Sequence, residues 1–157
     1  MKKQLIYVLL ITVPFFLTQC DRKRVFEKNY RIKNNEWSIN DTLKFNISIA
    51  DSSNYYDILL NVRTGGLYEY SNLFLFVSIE APSGKTIEDK FEITLADKNG
   101  KWFGSGLGDI KSLTVPFRSN VRFGLPGIYK FKIVQGMRKD VLPYVFDAGI
   151  RIQHTRK

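Results

Sequence analysis

Leu43-Lys44-Phe45-Asn46-Ile47-Ser48-Ile49 alternates apolar and polar residues without a break. Successive side chains of an extended chain point to opposite faces, so Leu43, Phe45, Ile47 and Ile49 share one face and Lys44, Asn46 and Ser48 the other. The stretch predicts a strand with one side in a core and one in water. Asp51-Ser52-Ser53-Asn54 then turns the chain, and Tyr56, Ile58, Leu60 and Val62 alternate with Asp57 and Asn61 in a second strand. Leu73 to Ile79 is apolar on both faces, which predicts a central or covered strand. Phe91, Ile93 and Leu95 alternate with Glu92 and Thr94, an apolar strand lies near Leu113 to Phe117, and Tyr129, Phe131 and Ile133 stand opposite Lys130 and Lys132. Gly149 to Gln153 makes the last strand. Ala81-Pro82-Ser83-Gly84, Asp97-Lys98-Asn99-Gly100 and Leu125-Pro126-Gly127 supply turn chemistry between them. No long helical period and no internal repeat interrupts the pattern. The reading is an all-β chain: one Greek-key β-sandwich, immunoglobulin-like or jelly-roll-like, of about eight strands over 36–157.

The chain of 157 residues is one domain's length. Its 12 phenylalanines and 8 tyrosines favour strands. A single cysteine permits neither an intramolecular disulfide nor a zinc cluster. The one histidine, His154, stands where tails usually fray, which argues against a His-based metal site or a serine triad.

The first residues read as an address. Met1-Lys2-Lys3 is a basic start, and Leu5 to Leu17 is an apolar run too short to span a bilayer comfortably, so 1–19 reads as a signal peptide. Leu17-Thr18-Gln19-Cys20 resembles a bacterial lipobox, which assigns lipidation to Cys20 and cleavage before it. Acyl chains on that sulfur would hold a soluble domain at a membrane. Asp21-Arg22-Lys23-Arg24 follows, and 20–35 reads as a polar tether. The net charge of +9 loses Lys2 and Lys3 with the leader, which leaves +7. That balance suits an anionic membrane surface or an acidic partner, and export argues against nucleic acid.

Chemistry is sparse. Gly104-Ser105-Gly106-Leu107-Gly108 could cradle phosphate, but no strand-to-helix context and no Lys-Ser/Thr pair accompanies it, so it reads as a loop needing unusual backbone angles. Asp97-Lys98-Asn99-Gly100 lacks the remaining ligands of a calcium loop and reads as a hairpin turn. Glu88 and Asp89 are neighbours on a strand and point to opposite faces, so they cannot share a substrate. No catalytic residue, metal, cofactor or small-molecule substrate is assigned. Tyr68, Tyr70, Trp102 and Phe103 lie in or beside loops, where they either anchor a partner, stack on sugar rings or cap the ends of the core.

Several segments resemble, in order and spacing, the GldH-type gliding motility lipoproteins of the Bacteroidetes. They are the lipobox at Cys20; Asn40 to Phe45; Asn61-Val62-Arg63 with Tyr68 to Phe76; Gly100 to Ile110; Gly127 to Phe131; Gln135-Gly136-Met137-Arg138; and Asp147 to Ile152. The resemblance implies a membrane-anchored component needed for surface gliding, a machinery associated with type IX secretion. It brings no enzymatic activity, cofactor or ligand. The expected function is a structural or assembly subunit, lipid-anchored and periplasm-facing on either the inner or the outer membrane, with other envelope motility or secretion proteins as partners. Its expected partner surface is Tyr68, Tyr70, Asn72, Trp102 and Asp109. The alternative is a lipid-anchored glycan-binding module. Asp41-Thr42-Leu43 also resembles that phylum's O-glycosylation sequon, which makes Thr42 a candidate acceptor.

Overall fold

Alternation becomes burial in Leu43–Ile49: Phe45, Ile47 and Ile49 are buried, and Lys44, Asn46 and Ser48 are exposed. The computed structural model describes residues 21–155. Ten strands run through it: β1 Arg24–Arg31, β2 Glu36–Ser38, β3 Leu43–Ile49, β4 Tyr56–Gly65, β5 Asn72–Glu80, β6 Thr86–Thr94, β7 Ile110–Val121, β8 Gly127–Gln135, β9 Val141–Pro143 and β10 Val145–His154. The expected signal peptide, 1–19, and the expected lipidation site, Cys20, lie outside the described residues.

The pairing is nested. β1 pairs β10, β2 pairs β9, β3 pairs β8, β4 pairs β7 and β5 pairs β6, all antiparallel. Two more ladders, β10 with β4 and β5 with β8, complete two four-stranded sheets ordered β1-β10-β4-β7 and β3-β8-β5-β6. A long hairpin wound across two sheets in this order is a jelly roll. The structure therefore chooses the jelly-roll form of the two sandwiches that the sequence allowed.

The inner faces of both sheets make one core. Ile58, Leu60, Ile150 and Ile152 from one sheet face Phe45, Ile47, Leu75, Phe131 and Ile133 from the other, each at most 2% exposed. β5 is central in its sheet, as its apolar character predicts, yet its outer face is open to solvent: Phe76 is 50% exposed. The turn at Asp97 is a three-residue hairpin loop. Gly100 N–H donates to Asp97 O at 3.0 Å, and Gly100 has φ +79, the left-handed angle that closes such loops. Ala81 to Lys85 repeats this geometry, with Gly84 at φ +83.

Two expectations change. The tether drawn over 20–35 is mostly structure: Arg24–Arg31 is β1, an edge strand on β10, so the domain starts at residue 24 and not at 36. Only Phe26 and Tyr30 of β1 turn toward the core, and charged residues fill most other positions, which keeps an edge soluble but hides it from a periodicity reading. His154 is not frayed. It ends β10, donates its N–H to Lys23 O at 2.9 Å, and packs its ring 5.0 Å from that of Tyr56.

The sandwich has two unlike ends. The near end holds the starts of β1 and β4 and the ends of β7 and β10, with the β3–β4, β5–β6 and β7–β8 turns. The far end holds the β4–β5, β6–β7 and β8–β9 loops, and the β2–β9 pair closes it with Trp37 and Leu142, both at 0% exposure. Trp37 Nε1–H donates to Asp41 O at 3.0 Å, which satisfies the indole in its buried site.

Candidate functional site

The far-end loops bring together most of the aromatic residues singled out from sequence. The Tyr68 ring lies 5.7 Å from that of Tyr70 and 6.4 Å from that of Trp102. Tyr68 is only 5% exposed and donates its hydroxyl to Asn72 O at 3.1 Å, so it caps the core and offers no surface to a partner. Burial and the neighbouring Tyr70 push its phenol pKa well above the usual value. Tyr70 and Trp102 are half-buried beside it. The Tyr70 and Trp102 rings stand at 68° and 65° to that of Tyr68, an edge-packed cluster around the buried tyrosine. Asn72 spends its amide on Glu92 Oε1 at 2.6 Å. Asp109 is exposed, with its Cβ and backbone under Gly66.

The exposed part of this end is a different set of residues. Leu107 is 94% exposed, Leu67 69%, Phe103 57% and Tyr144 40%. The loops carrying them touch: Gly66 packs on Asp109, two residues from Leu107, and Gly65 N–H donates to Tyr144 O at 2.8 Å. The glycine-rich stretch explains how Leu107 is presented. A Cβ on Gly104 would lie 2.7 Å from Ser112 O, and one on Gly106 would run into Ile110 O. Glycine lets the loop lie directly on the start of β7, and Leu107 is left at its tip. The segment is therefore a close-packed loop and not a phosphate cradle. Sequence reading picked out the rings of this end but missed Leu67, which follows Gly65-Gly66, and Leu107, which lies between two glycines, because a lone apolar residue in a glycine-rich loop carries no periodic signal.

Glu69, on the same loop, accepts from Lys139 Nζ at 2.7 Å, and that hydrogen bond raises the lysine pKa. Gln135, at 0% exposure, holds the β8–β9 loop: Nε2 donates to Lys139 O at 2.8 Å and Oε1 accepts Met137 N–H at 2.9 Å.

Elsewhere the sheet faces are polar. Asn61 Nδ2 donates to Asn29 Oδ1 at 3.0 Å, and Thr114 donates to Asn61 Oδ1 at 2.9 Å, so one polar row crosses four strands. Gly149 sits beneath Asn29 in that row, and Arg63 pairs with Asp147 alongside, around a depression of about 370 Å³. Two stretches that carry the family resemblance, Asn61–Arg63 and Asp147–Ile152, thus lie side by side. Thr42 is half-buried at the start of β3, beside Phe76, Lys90 and Lys132 on the outer face of the other sheet. Glu88 and Asp89 diverge as expected: Glu88 is exposed, while Asp89 turns to Arg118 of β7 and pairs with it. Among the described residues no group of His, Cys, Asp or Glu has metal-site geometry, and no helix is long and apolar enough to cross a membrane.

These features define a jelly-roll β-sandwich with an exposed apolar loop face at one end. The model of the GldH lipoprotein family matches residues 24–152, so the chain belongs to that family. It is 37% identical over 157 residues to a protein of Christiangramia forsetii named gliding motility lipoprotein GldH homolog, covering 96% of this chain and 95% of that one. It is 33% identical over 152 residues to the gliding motility lipoprotein GldH of Flavobacterium johnsoniae, covering 92% and 94%. Among solved structures, a 4-O-methyl-α-glucuronidase specific for decorated arabinogalactans aligns with a TM-score of 0.40 at 12% identity, over 88% of this chain and 18% of that one. That likeness is too loose to bear on fold or chemistry.

Proposed function

We propose that this chain is a non-enzymatic assembly component of a gliding motility machine associated with type IX secretion. It is held to an envelope membrane by lipid on Cys20, faces the periplasm, and docks another envelope protein through its far end. The observation that supports this most directly is the far-end cluster of Leu67, Phe103 and Leu107, between 57% and 94% exposed, at the opposite end from Asp21. A monomeric surface rarely leaves large apolar side chains gathered at one loop face without a partner. Tyr70 and Trp102 stiffen that face from below, and Asp109 stands at its rim.

The geometry suits an anchored post. Asp21 directly follows Cys20 and pairs with Arg151, so only a few residues separate the lipid from the sandwich. The ten residues of β4 span about 33 Å, which sets the height of the far end above the anchored one.

The test is a cross-linking pull-down from membranes with wild type and a Leu67→Ser, Phe103→Ser, Leu107→Ser variant. The three side chains are largely outside the core, so melting should stay unchanged. Loss of envelope motility or secretion proteins from the variant alone is the expected result. Recovery of the same proteins by both chains refutes the far-end face. Recovery of no such protein by wild type refutes the assembly role.

A further inference from the structure

The near end differs from the far end in charge as well as in shape. Tyr55, Leu125 and Ile128 are 49%, 48% and 57% exposed there. Between the sheets an apolar groove of about 250 Å³ opens among Ile79, Val121, Phe123 and Leu125, with Lys85 and Arg122 at its mouth. Arg122 lies 5.6 Å over the Tyr55 ring.

The carboxylates of this end are engaged by neighbouring groups, although Asp51 is itself exposed. Asp51 accepts from Ser53 and Asn54, Asp57 from Asn120 N–H and Thr155, and Asp89 pairs with Arg118. Glu80 is paired with Lys130 at 2.8 Å. The exposed cations Arg22, Lys23, Lys85 and Arg122 enter none of the ion pairs among the described residues. Outward positive charge, interleaved with an exposed tyrosine and two aliphatic residues, matches the interfacial layer of an anionic bilayer.

The position of the chain's start gives this surface its partner. Lys23 O accepts the His154 N–H, and Thr155 N–H donates to Tyr55 O, so the first described residues and the exposed tyrosine share one corner. From Cys20 to Arg24 a fully extended chain reaches at most about 14 Å. A lipid on Cys20 therefore brings this end, and not the far one, to the membrane.

We infer that the near end is a lipid-facing surface. Tyr55, Leu125 and Ile128 enter the headgroup layer of an anionic bilayer, and Arg22, Lys23, Lys85 and Arg122 meet its phosphates. The inference rests on the anchoring reading and deepens it: the lipid tethers, and the near end fixes the orientation. The post then stands upright and aims Leu107 at a defined height.

The whole lipoprotein is reconstituted in phosphatidylcholine vesicles with and without phosphatidylglycerol, and side chains are footprinted by hydroxyl radicals against the same protein in detergent. On phosphatidylglycerol vesicles, Tyr55, Leu125 and Ile128 are labelled several-fold less than in detergent, while Leu67 and Leu107 are unchanged. An Arg122→Glu, Lys85→Glu variant, both positions being exposed, restores the labelling. Equal near-end labelling on vesicles and in detergent overturns the inference, and so does equal protection of both ends. The mass of Cys20 is read on the same sample. Absent acyl chains overturn the anchoring reading itself, whereas acyl chains with an unprotected near end overturn only the seated surface.

Discussion

Gly149→Ala is the sharpest single test of how the edge strand β1 is held. Gly149 lies in β10 between Asn29 of β1 and Asn61 of β4. A Cβ there runs into Asn29 Oδ1 and Lys28 O and lies 2.7 Å from Asn29 Cα. Two of these three atoms are backbone, so no rotamer change relieves the clash and β1 must lift off β10. Overpacking of this kind costs about 1–3 kcal/mol, and a backbone obstacle places it at the upper end. The displaced Asn29 also loses its 3.0 Å bond to Asn61, a further cost of about 1 kcal/mol. Alanine's better intrinsic fit to a strand returns about 0.5–1 kcal/mol. The net loss is about 3 kcal/mol, which at this chain length lowers Tm by about 6–12 °C. Thermal unfolding by circular dichroism reads the stability, and amide exchange reads the place: protection should fall in residues 24–31 and hold in β5. A Tm within about 2 °C of wild type, with β1 exchange unchanged, would show that β1 does not lie on β10 in this register.

Other perturbations have equally definite outcomes. Gln135→Leu orphans Met137 N–H and Lys139 O, and chemical denaturation should show a loss of about 1–3 kcal/mol for each group left unpaired, with faster exchange confined to 136–140. Trp37→Ala empties the plug of the far end and should cost about 3–5 kcal/mol, read as a lower denaturant midpoint at unchanged slope. The raised pKa of Tyr68 means that its neutral form is favoured by folding. That stability is complete below about pH 10, where free tyrosine titrates, and falls above it by about 1.4 kcal/mol per pH unit until the folded value is reached. The difference in alkaline stability between wild type and Tyr68→Phe should therefore shrink as pH rises from 10, and a difference independent of pH would contradict the burial of that phenol.

Strands that face the core on one side were legible because alternation records burial directly. β3, β4 and β8 were read nearly to their ends, and the apolar character of β5 gave its central place. β1 was not legible, since an edge strand protects itself with the charges that make it look like a linker. β2 and β9 escaped because each is three residues long and pairs with a partner about a hundred positions away. At the far end, sequence placed the aromatic residues in loops but could not say which way a loop residue turns. Tyr68 went inward to its bond with Asn72 O, and Leu67, next to it, went out.

The nested pairing also sets the order in which the chain can fold. β5 and β6 are joined by a short loop and can meet at once, whereas Arg24 of β1 must wait for Gln153 of β10. Contacts so far apart in sequence make slow folding steps. A chain exported N-terminus first puts β1 outside long before its partner arrives, with the whole ladder edge unsatisfied. If Cys20 is acylated at that stage, the waiting strand is already pinned to the bilayer, where it cannot diffuse to a second copy and pair wrongly. The charged residues of β1 then protect a nascent edge as well as a finished one, until β10 arrives to pair with it.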